Sequence, residues 1–418
     1  MTKSVLVNFG AWVMCACILG TNVQANEDLL DDSLFSEDFG EVDFLDEDIN
    51  TSSSDELDIS IEHILAWAPD QNYQRQFHSS DLRLATQLPL GLLVYGDIEL
   101  KATQYWQGDS RKPSQGELSE LQIEQLELQY SLAATSVKLG RYVLSWGEVE
   151  GASVLDVISP APSPTSVDTS FTPQWLLSTQ YYKPGAQISW FIGIDPSVIQ
   201  IPGIPLNHSV NKEWGARIGR TGAGSDWALY AASLVPNNPI LNLATSTVSA
   251  KSYQLLGYSW NKAMGDDLLK FDIAYKQGLE HNLGETGLVL DDRIDAAMGL
   301  ELNDSLRQYN ASLTVRHWLN YQTDYITPAP EPVPSNKTDI SYSLGVSDDF
   351  ANDELSWSLT HLGTPNGSLM ALNTQLSWAP RDALSASVSF GTIKAKADSA
   401  FAALDGNKLL TFRIKVSY

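Results

Sequence analysis

The chain has 418 residues, a formal charge of −25 and 43% hydrophobic residues. Lys and Arg are nowhere concentrated as phosphate binding requires, which argues against a nucleic-acid partner. No run reaches the roughly 18 apolar residues of a membrane helix, so any membrane crossing has to be made by strands.

In chain order, residues 1–25 read as a secretory signal peptide. Lys3 supplies a positive start, 5–19 a mostly apolar core and Val23-Gln24-Ala25 a small-residue cleavage site. Cys15 and Cys17 both lie there. The mature chain is thus expected to have no disulfide, thiolate metal site or Cys nucleophile. Residues 26–56 follow as an acidic leader: 26–58 carry fourteen Asp and Glu with no Lys or Arg. Such composition favours disorder. The helical spacing of Leu30 with Leu34 and Phe35 with Phe39 keeps two other roles open, a plug in a barrel or contact with a basic periplasmic or exporter partner.

From Leu57 the pattern becomes short alternating segments separated by turn residues. Eighteen are predicted: 57–67, 81–88, 92–106, 119–131, 135–145, 173–182, 186–194, 212–221, 227–235, 251–261, 268–277, 290–302, 306–321, 337–347, 354–362, 369–378, 383–394 and 408–418. Ile294, Ala296, Met298 and Leu300, for example, alternate with Arg293, Asp295, Ala297 and Gly299. Successive side chains of a strand face opposite ways, so one face is greasy and the other wet. The last segment does the same: Leu410, Phe412, Ile414, Val416 and Tyr418 alternate with Thr411, Arg413, Lys415 and Ser417. It ends on an aromatic residue, as do the terminal strands by which the barrel-assembly machinery recognises outer-membrane barrels. Connectors alternate between short, such as Lys183-Pro-Gly185, and long, such as 146–172 and 322–336.

Together these features predict an all-β fold over 57–418. It is a single-chain transmembrane antiparallel β-barrel of about eighteen strands, sixteen being the alternative, with short periplasmic turns and long external loops. Tryptophans such as Trp67, Trp106, Trp175, Trp214 and Trp378 fall near segment ends, where interfacial girdles form. The surroundings expected are the lipid and lipopolysaccharide of a Gram-negative outer membrane.

Gly140-Arg-Tyr-Val-Leu-Ser-Trp-Gly-Glu148 breaks the alternation. Val137 and Leu139 share a face that next places Arg141 toward lipid, at ~2–4 kcal/mol near the midplane. A bulge or a register shift would return it inward. The segment resembles a family of proteobacterial outer-membrane proteins of unassigned function, marked by Arg, a short spacer and Trp-Gly-Glu after an early strand. The matching positions are Gly140, Arg141, Trp146, Gly147 and Glu148. The resemblance implies a porin-like barrel associated with export or uptake of lipid-like material, and no catalytic residues.

Arg141 and Glu148 are expected to tie the 146–172 loop to the inner wall and make it a gate. The candidates there are Arg141, Trp146, Glu148, Glu150, Asp156 and Asp168; an external loop with a structural Arg–carboxylate pair is the alternative. Parity assigns Asp97, Glu99, Lys101, Arg217, Lys270, Asp272, Arg293, Asp295, Arg316 and Arg413 to the lumen. Lys276, Lys415, Glu127, Glu213, Glu301, Asp339 and Glu354 complete eight cations against nine anions, too balanced for an ion filter.

Asn207-His208-Ser209 has the residue types of a triad, but adjacent residues on a strand face opposite ways. The six histidines lack metal-ligand spacing. No enzyme, cofactor or metal is expected. Two loops are greasy, one with Val198, Ile199, Ile201, Ile204 and Leu206, the other with Ile240, Leu241 and Leu243. They read as a mouth plug or as a docking surface for amphiphiles. The function expected is passage of a small solute gated by 146–172. The alternatives are a hydrophobe-transport component working with an inner-membrane exporter, and a structural barrel with a closed lumen.

Overall fold

Alternation of small, β-branched and aromatic residues with polar ones makes each segment a two-faced strand, and the strands close on themselves. The computed structural model describes residues 57–418 apart from 70–73, 107–108, 110–118, 150–151, 153, 160–170, 197–205, 208–211, 223, 285–286, 305–306, 328–332, 351–353 and 382. The signal and leader segments, Glu150 and Asp168 therefore lie outside the described residues.

Eighteen barrel strands follow one another among the described residues. The first nine are β1 (Leu57–Ala68), β2 (Gln74–Pro89), β3 (Val94–Tyr105), β4 (Ser119–Leu132), β5 (Thr135–Tyr142), β6 (Gln174–Lys183), β7 (Ala186–Asp195), β8 (Glu213–Gly222) and β9 (Ser225–Leu234). The rest are β10 (Tyr253–Met264), β11 (Asp267–Leu283), β12 (Leu288–Asn303), β13 (Arg307–Trp318), β14 (Thr338–Phe350), β15 (Leu355–Gly363), β16 (Leu369–Arg381), β17 (Leu384–Ala395) and β18 (Lys408–Ser417). Each pairs antiparallel with the next. β18 returns to β1, with Ile61 opposite Val416 and Leu65 opposite Phe412. Closure leaves the wall no unpaired edge, the condition for backbone to cross lipid.

The two faces separate cleanly. Leu82, Leu128, Ile218, Leu313, Leu344 and Ile414 are exposed on the outside, while Asp81, Lys101, Lys276, Asp295, Arg316 and Thr411 are buried inside. A band of exposed aliphatic and aromatic side chains around a polar interior is the inverse of a soluble core and matches a lipid surround.

One end carries short turns. At 265–266 the turn uses Gly265 at φ 77°, the positive angle that two-residue hairpins demand. The other end carries the long connectors. Two connectors expected to be long are not, because the strands keep pairing outward. β2 starts at Gln74 rather than 81, and β11 runs to Leu283 rather than 277. β5 stops at Tyr142 rather than 145.

Against the outer end of β11, through Asn282, Leu206–Asn207, Ile240–Asn242 and Thr247–Ser249 form a small sheet. Ile240 and Leu241 are buried in it, so this greasy loop is not an exposed docking surface. Of the other, 198–205 lies outside the described residues. Tyr325–Thr327 pairs with the outer end of β11. The Tyr325 hydroxyl donates to Asp291 at 3.1 Å, and burial together with that carboxylate pushes its pKa up to about 12. A 3-10 turn, Ala402–Leu404, brings Phe401 and Leu404 against Leu362 and Leu369.

Candidate functional site

The site is built where β5 ends. Gly140 has φ 150°, and a Cβ there would stand 2.0 Å from the Leu126 carbonyl oxygen. Only glycine lets β5 lie this close to β4. Tyr142 points inward and donates to Ser178 at 2.6 Å. The chain then leaves the wall and enters the lumen. Gly147, at φ 107°, turns the backbone so that two successive amides face one carboxylate. Glu148 N–H donates to Asp272 Oδ2 at 3.1 Å and Val149 N–H donates to the same oxygen at 3.0 Å. Asn261 donates to Glu148 Oε2 at 2.7 Å. Within the loop, Trp146 N–H donates to Asp156 and Leu144 N–H to Ser159.

Apolar contacts fix the same segment. Trp146 sits between Phe191 and Tyr230, with ring centroids 5.2 Å from each. Val149, Leu155 and Ile158 join it in one buried cluster with Leu176, Leu234, Leu255 and Trp318. Three glycines of alternate strands leave room for these side chains. A Cβ on Gly215 would stand 2.5 Å from Trp146, one on Gly257 2.3 Å from Leu155 and one on Gly299 3.2 Å from Val149. The described residues of 143–159 therefore pack against the half of the lumen formed by β6–β13, by shape as well as by hydrogen bonds.

Several charges of that wall are paired in place. Asp295, wholly buried, takes two guanidinium hydrogen bonds from Arg293 at 2.6 and 2.9 Å and the Lys276 ammonium at 2.8 Å. Arg316 stands opposite Asp295 on one side and Asp339 on the other. Lys270 pairs with Glu301 at 2.5 Å. Arg217 donates to Gln187 at 2.7 Å and lies over the Tyr230 ring. On the opposite half, inward residues such as Ser343, Ser347, Ser358, Gln375 and Ser389 stay partly accessible.

Solved structures share this architecture. OccAB3 of Acinetobacter baumannii superposes with a TM-score of 0.56 at 11% identity, over 87% of this chain and 98% of that one. A BenF-like porin of Pseudomonas fluorescens gives 0.56 at 9% identity, over the same shares of each chain. OpdK of Pseudomonas aeruginosa, solved with vanillate, gives 0.54 at 8%, again over 87% and 98%. The fold is a porin fold. At these identities the likeness speaks to architecture alone. No family model and no curated protein matches the chain, so the Arg-x4-Trp-Gly-Glu segment remains a resemblance.

Of the expected gate residues, Trp146, Glu148 and Asp156 come together in the lumen loop. Arg141 does not. β5 pairs without a shift, Arg141 lying between Leu126 and Trp175, both exposed on the outer face. It thus keeps the Leu139 side, one residue from the strand end, where an outward Arg costs ~0–1 kcal/mol. The tie expected from Arg141 to Glu148 is made by Asn261 and Asp272 instead. The lumen residues expected by parity stand inside, apart from Glu354, which is exposed in the turn before β15; Glu99 pairs with Arg83 at 3.9 Å and Lys101 with Asp81 at 3.5 Å. Asp97 accepts from Gln125 at 3.0 Å, and Arg413 stands opposite Ser387. Arg83, Asp81 and Lys138 were legible by the same parity but not singled out. The three glycine hollows carried a weaker signal, glycine inside a strand, which marks a close approach.

Proposed function

We propose that the chain is an outer-membrane channel for small hydrophilic solutes, narrowed from one side by the 143–159 segment. The observation that carries this is the asymmetry of the lumen. The described residues of the loop pack against the β6–β13 half, while Ser343, Ser347, Ser358, Gln375 and Ser389 of β14–β17 remain partly accessible. Barrels of 16–18 strands are wide enough to hold an aqueous channel. The loop is a built-in constriction rather than a swinging gate, because it is held by buried apolar contacts as well as by Asp272. A hydrophobe carrier would need an apolar track on the accessible half, and that half is hydroxylic. The reading requires no catalytic residue. Single-channel recording of the purified full chain in planar bilayers tests it: stable open steps are expected. Absence of conductance from folded protein would refute the channel and favour a closed structural barrel.

A further inference from the structure

Six directly paired residues cross β13–β18 in a single line. Gln308 stands opposite Ser347, Ser347 opposite Ser358, Ser358 opposite Gln375, Gln375 opposite Ser389, and Ser389 opposite Thr411. All face the lumen; five are partly accessible and Thr411 is buried. None ionises, and each can both donate and accept hydrogen bonds. Paired residues run perpendicular to their strands, and barrel strands tilt by roughly 35–45° from the axis. At about 4.8 Å between strands, the line is therefore an inclined track down the wall rather than a level ring. The next line on the periplasmic side runs from Asp349 through Ser356, Ser377 and Ser387 to Arg413, with one charge of each sign at its ends.

Many formal charges elsewhere in the lumen are buried or paired, while Arg413 and Lys415, toward the periplasmic end of β18, stay accessible. Lys276, Arg293, Asp295 and Arg316 are buried, at most 5% exposed. On β2–β5, Arg83 with Glu99, Lys101 with Asp81 and Lys138 with Glu127 cancel in pairs. An ion moving along the track sheds hydration against groups that return no net charge. A polyhydroxylated solute instead exchanges its water hydrogen bonds for equivalent ones at each step.

We infer that the track favours neutral polyhydroxylated solutes, small sugars and polyols, over ions of the same size; this rests on the channel reading above. The test is osmotic swelling of proteoliposomes carrying the full chain, in glucose, gluconate and glucosamine, which match in size and differ in charge. Glucose is expected to enter faster than either ion by about fivefold, the factor of roughly one net hydrogen bond. A triple variant, Ser347→Ala with Ser358→Ala and Ser389→Ala, checked for folding by heat-modifiable migration, should bring that ratio toward one. Equal entry of all three solutes, faster gluconate, or an unchanged ratio in the folded variant would overturn the inference and leave the channel standing. No swelling in any solute, with no conductance, would remove the channel itself.

Discussion

Asp295 shows how much of the wall depends on one side chain. It is wholly buried and holds Arg293 and Lys276 directly, with Arg316 opposite it in the ladder. Asp295→Ala would leave three cations facing one another with little water, and breaking a buried pair costs ~3–5 kcal/mol. The folded, heat-modifiable form should unfold at clearly lower temperature on semi-native gels; an unshifted transition would contradict the assigned role. Strand parity alone predicts that Arg293 and Asp295, alternating with apolar Ile294 and Ala296, face inward, and likewise Arg316, opposite in parity to Leu313 and Val315. It cannot tell which of them meet, since that depends on the register of β11, β12 and β13. Arg141 marks the opposite case. Its motif suggested an inward anchor, yet parity with Leu139 decided its side, and a position near the strand end made that tolerable.

At the scale of the element, the 143–159 segment is held by shape. The Cβ position of Gly257 falls 2.3 Å from Leu155, so Gly257→Leu should push Leu155 and its neighbours off the wall. The outcome expected is new protease cleavage within the loop and noisier open-channel current. A loop that stays protected, with unchanged current, would show that the hollow is not what holds it. From its length and its acids the sequence leaves an inward loop and an external one equally open. Glu148 does hold the wall, through Asn261, but Asp272 on the wall receives the loop's amides and Asp156 accepts from Trp146 within the loop. Glycines 215, 257 and 299 were hidden because nothing local says what will fill the space above a strand glycine.

At the scale of the molecule, the wall is legible almost strand by strand, since a residue facing lipid and one facing water differ by the largest free energies in the chain. Strand ends were less so. The outward extensions of β2 and β11 are stabilised by loops packed from elsewhere, as where Tyr325–Thr327 pairs with β11. Closure depends on β18, whose apolar face continues the band of β1 and β17. Deleting 408–418 should leave two open edges and abolish the heat-modifiable form; a folded truncated barrel would refute the closure described.

The most direct test of the central claim, that a wall-bound loop narrows an otherwise open barrel, is single-channel conductance of the wild type beside a variant with 148–159 replaced by a Gly-Ser linker of equal length. Open steps in both, with larger conductance in the variant, are the result the account requires. Equal conductance would contradict it.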